Sequence, residues 1–151
     1  WIPSYGPEMR GGTANCTVVI ADEEIGSPLV EFPPAAIALN LPSYDKYEPL
    51  MQKGGVLVVN ASMVDRGAKR DDITTIFVRA NEIAEEIGDK RLTNMVTVGA
   101  LLPFLPEVSL EAVEAALKAH LPARHQKLLP KNYEALQRGY EEAKKQVAQP
   151  A

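Results

Sequence analysis

The sequence has few of the residues that would let a chain of this size carry redox or metal chemistry alone. Its 151 residues include one cysteine, Cys16, and two histidines. A single thiol excludes an intrachain disulfide, and it also excludes a self-contained iron–sulfur cluster, which needs about four thiolates. The histidines have no metal-ligand spacing. We therefore predict no metal bound by this chain alone, and we expect Cys16 to be a buried, inert thiol within a strand.

Other absences narrow the class of protein. Lys and Arg total 16 against 20 Asp and Glu, so there is no basic excess to attract nucleic acid or an anionic membrane. No apolar run approaches the roughly 18 residues of a membrane helix, and no signal-peptide pattern is present. The sequence also has no glycine-rich phosphate loop and no nucleophile elbow. These observations predict a cytoplasmic globular protein with no catalytic residue of its own.

The most unusual stretch runs from residue 4 to residue 15, directly before an apolar run. Gly11 and Gly12 carry no Cβ, so a ligand or another backbone can approach closely. Arg10 offers a planar fork of donors suited to carboxylate or phosphate. The simpler alternative is a tight turn in which Glu8 and Arg10 pair on the surface. The candidate ligand- or interface-binding residues of this stretch are Tyr5, Glu8, Arg10, Gly11, Gly12, Thr13 and Asn15.

Apolar runs of strand length alternate with amphipathic runs along the chain. We predict strands at residues 15–21, 35–41, 56–59 and 74–79, of which 56–59 is central. We predict a first helix at 43–52, with Ser43 as N-cap and Gly54 and Gly55 as C-cap, and a second at 81–87 that Gly88 ends. A third helix is predicted at 95–102, capped by Asn94, and a fourth from Ser109 onward. The last predicted helix, at 132–147, has Leu136, Tyr140 and Val147 on one face. The fold class is therefore α/β, a three-layer α/β/α arrangement with a mostly parallel or mixed central sheet and a helical C-terminal part.

Asn60 and Ser62 follow the predicted central strand. Polar residues at the carboxyl end of a strand are where open α/β sheets place ligand contacts. The same two residues could equally cap the next turn, and the sequence leaves both roles open. The charged residues 66–72 are most simply a solvated turn, although their basic cluster could meet an acidic partner.

Three motifs together carry a family resemblance. They are the Ser-Tyr-Gly-Pro-Glu-Met-Arg-Gly-Gly-Thr-Ala run at residues 4–14, Glu-Ile-Gly-Ser-Pro at 24–28, and Gly-Gly-Val-Leu-Val-Val-Asn at 54–60. With their spacing, they resemble the gamma subunit of 2-oxoacid:ferredoxin oxidoreductases. Members of that family begin earlier, with a strand, a glycine-rich turn and a helix. We therefore expect that unit to be missing here, with a single domain over residues 1–148 and a tail at 149–151.

The resemblance implies a function that the residues alone do not identify. Such enzymes convert a 2-oxoacid and coenzyme A to an acyl-CoA and carbon dioxide, and they pass two electrons through iron–sulfur clusters to ferredoxin. Thiamine diphosphate, with magnesium, sits between the alpha and beta subunits, and the clusters belong to the beta or a small delta subunit. This chain would be an accessory subunit that helps to receive coenzyme A, most like the 2-oxoglutarate type, with pyruvate and branched-chain enzymes behind.

Two alternatives come from other classes of protein. A purely structural spacer would bind no ligand at the glycine loop. A free-standing coenzyme A- or nucleotide-binding α/β module, without an oxidoreductase partner, would equally explain the lack of catalytic residues. That alternative predicts a stable monomer, whereas a subunit isolated from its partners is expected to expose apolar surface or to cover it by forming a homodimer.

Overall fold

The structure is a computed structural model, and it describes residues 2–4, 14–27 and 29–148. In these residues the strands are β1 (Ile2–Ser4), β2 (Asn15–Thr17), β3 (Ala35–Ala38), β4 (Val56–Asn60) and β5 (Thr74–Val78). The helices are α1 (Leu41–Tyr47), α2 (Ala80–Ile87), α3 (Thr93–Leu101), α4 (Leu110–His120) and α5 (Leu129–Ala148). Short 3-10 turns lie at Glu48–Leu50, Lys90–Leu92, Leu102–Phe104 and Ala123–Leu128.

The main sheet is parallel, with the strand order β3-β4-β5. Val58 of β4 lies opposite Ile37 on one side and Ile76 on the other, so the prediction that this strand is central is confirmed. β1 and β2 form a separate antiparallel ribbon. The long connections needed between parallel strands are supplied by α1 and by residues 61–73.

Alternate side chains of β4 enter two different hydrophobic clusters, one on each face of the sheet. Val58 packs in the cluster that includes residues of α2, α3 and α5. Leu57 and Val59 pack in the cluster beneath α1. All three side chains are fully buried. A strand of this composition needs a layer on each face, and the predicted three-layer α/β/α fold is confirmed.

Helices α3 and α5 approach so closely that backbone meets backbone. A Cβ added to Gly99 would lie 2.0 Å from the carbonyl oxygen of Leu136, and one added to Gly139 would lie 1.9 Å from that of Val96. Thr97 and Ala100 are buried beside this contact. The nearly all-apolar α3 is therefore a buried helix.

The predicted boundaries of α1 are wrong. Asn40 is its N-cap, because the Asn40 Oδ1 accepts a hydrogen bond from the Ser43 N–H at 2.9 Å, and Ser43 lies in the first turn. The helix ends at Tyr47 because Pro49, in the following 3-10 turn, has no N–H to continue it. Gly54, at φ 77°, therefore serves a later turn and caps no helix.

Predictions for the later helices are partly confirmed. Gly88 ends α2 in the left-handed conformation, and the Ser109 Oγ caps α4 by accepting from the Ala112 N–H. The Asn94 N-cap is wrong, because the turn Lys90–Leu92 leads directly into α3 and places Asn94 inside it. α5 begins three residues before the predicted residue 132, since a proline is tolerated in the first turn. Val147 is 55% exposed, so it does not continue the buried face.

The predicted strand at 15–21 is shorter than expected, and so is the one at 35–41. β2 ends at Thr17, and Cys16 is exposed, so the prediction of a buried thiol is wrong. The reason is that β2 pairs with β1 in a two-stranded ribbon rather than entering the main sheet, where helices would cover it. Val18 and Ile20, which follow it, are also exposed.

Candidate functional site

The carboxyl ends of the parallel strands lie along one edge of the sheet, and Asn60 connects them. Its Nδ2 donates to the carbonyl oxygen of Leu39, just after β3, at 3.3 Å, and to the Oδ1 of Asn81, just after β5, at 3.1 Å. Its Oδ1 accepts from the Ser62 N–H at 3.3 Å. Asn60 is only 1% exposed. One buried amide therefore joins the ends of all three strands and closes the turn after β4.

Ser62 extends this network to the surface. Its Oγ accepts from the Asn81 N–H at 3.0 Å and donates to the carboxylate of Glu82. The Oδ1 of Asn81 also accepts from the Thr93 Oγ1 at 3.3 Å. The hydrogen bond from Ser62 lowers the pKa of the Glu82 carboxyl, and the backbone N–H of Glu82 lowers that pKa further. Glu82 lies in the first turn of α2, where the helix dipole favours a negative charge.

An open cleft of about 540 Å³ lies beside this edge, between β5, α2 and α5. Its apolar floor is formed by Ala61, Phe77 and Ile83, and its walls carry charges of both signs. The wall residues are Arg79, Glu82, Glu86, Arg138, Glu141, Glu142 and Lys145. Arg138 pairs with Glu86, and Lys145 lies 3.6 Å from Glu142. A cleft with such internally paired charges suits a polar or zwitterionic contact better than a bare anion.

Gln146 of α5 closes the open edge of β5 at the level of this cleft. Its Oε1 accepts from the Phe77 N–H at 3.2 Å, and its Nε2 donates to the Phe77 carbonyl oxygen at 2.7 Å. A single side-chain amide thus takes the place of a neighbouring strand. Such protection matters because an edge strand with free backbone groups can pair with another chain.

The charged residues 66–72 form ion pairs and hydrogen bonds with other residues of this chain. Arg66 and Lys69 both pair with Asp45. Arg70 pairs with Asp72 at 2.7 Å and also donates to the carbonyl oxygen of Met51 at 2.7 Å. The basic cluster that could have met an acidic partner is therefore engaged mainly by the turn and by α1.

A buried glutamate fixes the same turn. The Glu48 Oε1 accepts from the Tyr44 hydroxyl and from the Lys69 N–H, both at 2.7 Å, although Glu48 is only 1% exposed. Burial raises the pKa of Tyr44 to about 12, and the hydrogen bond to Glu48 adds to this rise.

The site residues predicted from the sequence fall into three groups. Tyr5, Glu8, Arg10, Gly11, Gly12 and Thr13 lie outside the described residues. Asn15 begins β2, opposite Ser4. Asn60 and Ser62 come together at the carboxyl edge of the sheet, and no hydrogen bond among the described residues joins Asn15 to either of them.

Sequence reasoning missed Asn81, Glu82 and Thr93. The available signal for Glu82 was an acidic residue in the first turn of a helix that follows a strand. Asn81 and Thr93 join the network only through tertiary contacts.

Among the described residues, no group of three or more His, Cys, Asp or Glu side chains is arranged to hold a metal ion. Their helices also include none with the length and apolar character needed to cross a membrane.

Comparison with known proteins identifies the family of this chain. Residues 1–142 match the family model described as pyruvate ferredoxin/flavodoxin oxidoreductase. The chain is 37% identical to the 2-oxoglutarate synthase subunit KorC of Methanocaldococcus jannaschii over 93% of this chain and 75% of that subunit. The fold and the sequence together define a subunit-type α/β domain, and the chain belongs to the pyruvate ferredoxin/flavodoxin oxidoreductase family.

Two further similarities concern the fold of the chain and the length of its relatives. The gamma subunit of a keto/oxoacid ferredoxin oxidoreductase from Geobacter sulfurreducens has the same fold, with a TM-score of 0.71 and 27% identity over 95% of this chain and 79% of that one. The ketoisovalerate oxidoreductase subunit VorA of Methanothermobacter thermautotrophicus is 34% identical over 97% of this chain. The chain spans only 30% of that longer subunit.

Proposed function

We propose that this chain is the gamma-type subunit of a 2-oxoacid:ferredoxin oxidoreductase. The complex would decarboxylate a 2-oxoacid oxidatively, transfer the acyl group to coenzyme A and release carbon dioxide. The observation that carries the proposal is the similarity to KorC, which extends over 93% of this chain and 75% of that subunit. We expect the complex to be cytoplasmic.

The favoured substrate is 2-oxoglutarate. The KorC relative is named a 2-oxoglutarate synthase subunit and is 37% identical, whereas two relatives named ketoisovalerate oxidoreductase subunit VorA are 34% and 39% identical. KorC subunits of three further organisms are also similar to this chain, at 29–36% identity. The recurrence of the 2-oxoglutarate name among the relatives is the reason for the preference, because the identities alone do not separate the two substrates.

This chain would be an accessory subunit of the complex. Thiamine diphosphate, magnesium and the iron–sulfur clusters would belong to alpha, beta or delta partner subunits, through which ferredoxin receives electrons. The single cysteine supports this division, because one thiolate cannot hold a cluster that needs about four. The chain would assist coenzyme A through the loop around Arg10, with Asn60 and Ser62 shaping the carboxyl edge of the sheet.

Co-expression with the chains encoded beside it tests the proposal. We expect two larger chains, thiamine diphosphate and iron to purify with this chain, and we expect the complex to consume 2-oxoglutarate faster than pyruvate or ketoisovalerate. Recovery of a lone, colourless monomer that still binds coenzyme A would contradict the proposal and favour the free-standing module.

Arg10→Ala tests the role of the loop within that complex. If Arg10 binds a desolvated phosphate or carboxylate, losing the charge-assisted hydrogen bonds removes about 1.5–3 kcal/mol, or roughly 10- to 150-fold in kcat/KM for coenzyme A. Arg10→Lys is the matched control, because it keeps the charge but loses the planar fork. Unchanged kinetics in a fully assembled Arg10→Ala complex would rule out this role.

A further inference from the structure

Helix α4 packs on the rest of the described chain with one side only. Its inner side carries Leu110, Val113 and Leu117, which are half-buried, and no residue of α4 is fully buried. The Tyr133 hydroxyl of α5 holds this side by donating to the Glu114 carbonyl oxygen at 3.3 Å. The outer face, which spans about 100° around the helix axis, consists of four exposed alanines, Ala112, Ala115, Ala116 and Ala119. A solvated helix face usually carries charged or polar side chains instead.

The charges in and around α4 are separated along its length. Residues 107–117 contain three Glu and no Lys or Arg, whereas residues 118–133 contain four Lys and Arg and no Asp or Glu. Glu111 and Lys118 represent the two halves on the helix itself. Both are exposed, and neither forms a salt bridge among the described residues. They cannot pair with each other, because seven residues of helix separate them by about 10 Å.

The helix dipole explains only part of this separation. It favours Glu111 in the first turn of α4, and Lys118 and His120 in the last turn. It does not explain Arg124 and Lys127, which lie between the end of α4 and the beginning of α5. The amino end of α5 disfavours a positive charge, and its first turn has no acidic residue. The dipole also gives no reason for an outer face made of alanine.

Two copies of α4 packed antiparallel would bring the unpaired charges together. Glu111 and Lys118 lie on one flank of the outer face, because seven residues are close to two full turns. A twofold axis near residue 115 places Glu111 of one copy level with Lys118 of the other, and symmetry repeats the pair on the same flank. In a parallel arrangement Glu111 would lie level with Glu111. The charges are therefore self-complementary only in the antiparallel arrangement.

We propose that the outer face of α4 is a docking surface for a second copy of this chain, joined as an antiparallel helix pair with twofold symmetry. The alanines allow the helix axes to approach to about 8 Å, the short end of the usual range. The two Glu111–Lys118 pairs then close one flank of the contact. The inference goes beyond the proposed function, because the chain can make this contact alone or within the oxidoreductase complex.

Sedimentation equilibrium of the full-length chain over a wide range of concentrations tests the proposal. The variants are Glu111→Lys, Lys118→Glu and the double reversal. Each single reversal creates two symmetric like-charge contacts, so we expect the dimer to dissociate at least about tenfold more readily. The double reversal restores opposite charges, so its affinity should return to within about threefold of the wild type. Raising the salt concentration should weaken the wild-type dimer.

Lys46→Glu is the matched control. It makes the same change of charge as Lys118→Glu, at an exposed residue of α1, and α1 covers the opposite face of the sheet from α5, on which α4 packs. We expect this variant to dimerise like the wild type. Equal weakening by Lys46→Glu and Lys118→Glu would show an effect of net charge alone and would overturn the α4 contact.

Three further results would overturn the proposal. They are wild-type dimerisation in both single reversals, a double reversal that stays as weak as the single ones, and a full-length chain that is monomeric at every concentration because another segment or subunit covers α4. None of them bears on the proposed function, which the co-purifying subunits and their reaction decide.

Zero-length carbodiimide cross-linking of the wild-type chain keeps the proposal testable if a variant does not fold. A mixture of isotope-labelled and unlabelled chains distinguishes links between copies from links within one copy. We expect a link between Glu111 of one copy and Lys118 of the other. A cross-linked dimer without any link from α4 would show that the two copies meet elsewhere and would overturn the proposal.

Discussion

Replacing Gly99 or Gly139 by alanine tests the close backbone contact between α3 and α5. In a helix interior, alanine is about 1 kcal/mol more favourable than glycine, so local propensity alone predicts a gain in stability. The tertiary contact predicts the opposite. The new Cβ of Gly99→Ala would lie 2.0 Å from a carbonyl oxygen of α5, and in Gly139→Ala it would lie 1.9 Å from one of α3. The obstructing atoms belong to backbone, so no side chain can rotate to relieve the clash.

Relief requires the two helices to separate by about 1 Å, because real Cβ atoms essentially never lie within 3.0 Å of a neighbouring atom. Overpacking a well-packed core costs about 1–3 kcal/mol, occasionally more. Here the separation also loosens Val96, Ala100 and Ala135, which are fully buried. We expect the loss of packing to exceed the gain in propensity, so that each substitution lowers the free energy of unfolding by about 2 kcal/mol.

Urea unfolding followed by circular dichroism measures this difference. Gly67→Ala is the control, because nothing lies within 4 Å of its added Cβ and its φ is not in the left-handed region. The control should change the free energy of unfolding by less than about 0.5 kcal/mol. The double variant should lose less than the sum of the single losses, because one separation of α3 and α5 relieves both clashes. A Gly99→Ala protein as stable as the wild type, or strictly additive losses, would refute this account of the helix contact.

Three further predictions follow from the hydrogen bonds. Gln146→Ala should leave the N–H and C=O of Phe77 without their side-chain partner. We expect the free energy of unfolding, measured with urea, to fall by about 1–3 kcal/mol. We also expect more aggregation, measured by light scattering. Asn60→Ala should likewise cost about 1–3 kcal/mol in the same assay, and an unchanged urea midpoint would contradict its role in joining the strands. Burial and the hydrogen bond to Glu48 raise the pKa of Tyr44 to about 12, whereas an unfolded tyrosine titrates near about 10. The contribution of Tyr44 to the free energy of unfolding should therefore be fully present below about pH 10 and lost as the pH rises to about 12. Tyr44→Phe should lack this part of the pH dependence of stability.

Predictions from the sequence were most accurate where a single physical requirement determined the structure. The apolar residues of β4 have to be buried on both faces, so their central position followed from composition alone. Boundaries failed where neighbouring residues competed for the same role. Asn40 and Ser43 both suit an N-cap, and only the backbone geometry favours Asn40.

The candidate site was less predictable than the fold. Asn60 and Ser62 could be found because they follow a strand, but their shared partner Asn81 lies 21 and 19 residues further along the chain. Thr93 joins the network only through Asn81. Exposure of Cys16 could not be predicted either. The composition of a short apolar run does not tell whether it joins a covered sheet or an uncovered ribbon.

The satisfied network at the carboxyl edge also limits how this chain can contribute to a reaction. The donors of Asn60 are already used by the protein, and its side chain is 1% exposed, so a ligand could reach it only by displacing internal hydrogen bonds. Ser62 and Glu82 lie further out, but they are bonded to each other. A ligand arriving here would therefore meet a preformed surface rather than a pocket of free donors and acceptors. Such a surface is better suited to completing a site whose main contacts come from another chain, which is the accessory role that we propose.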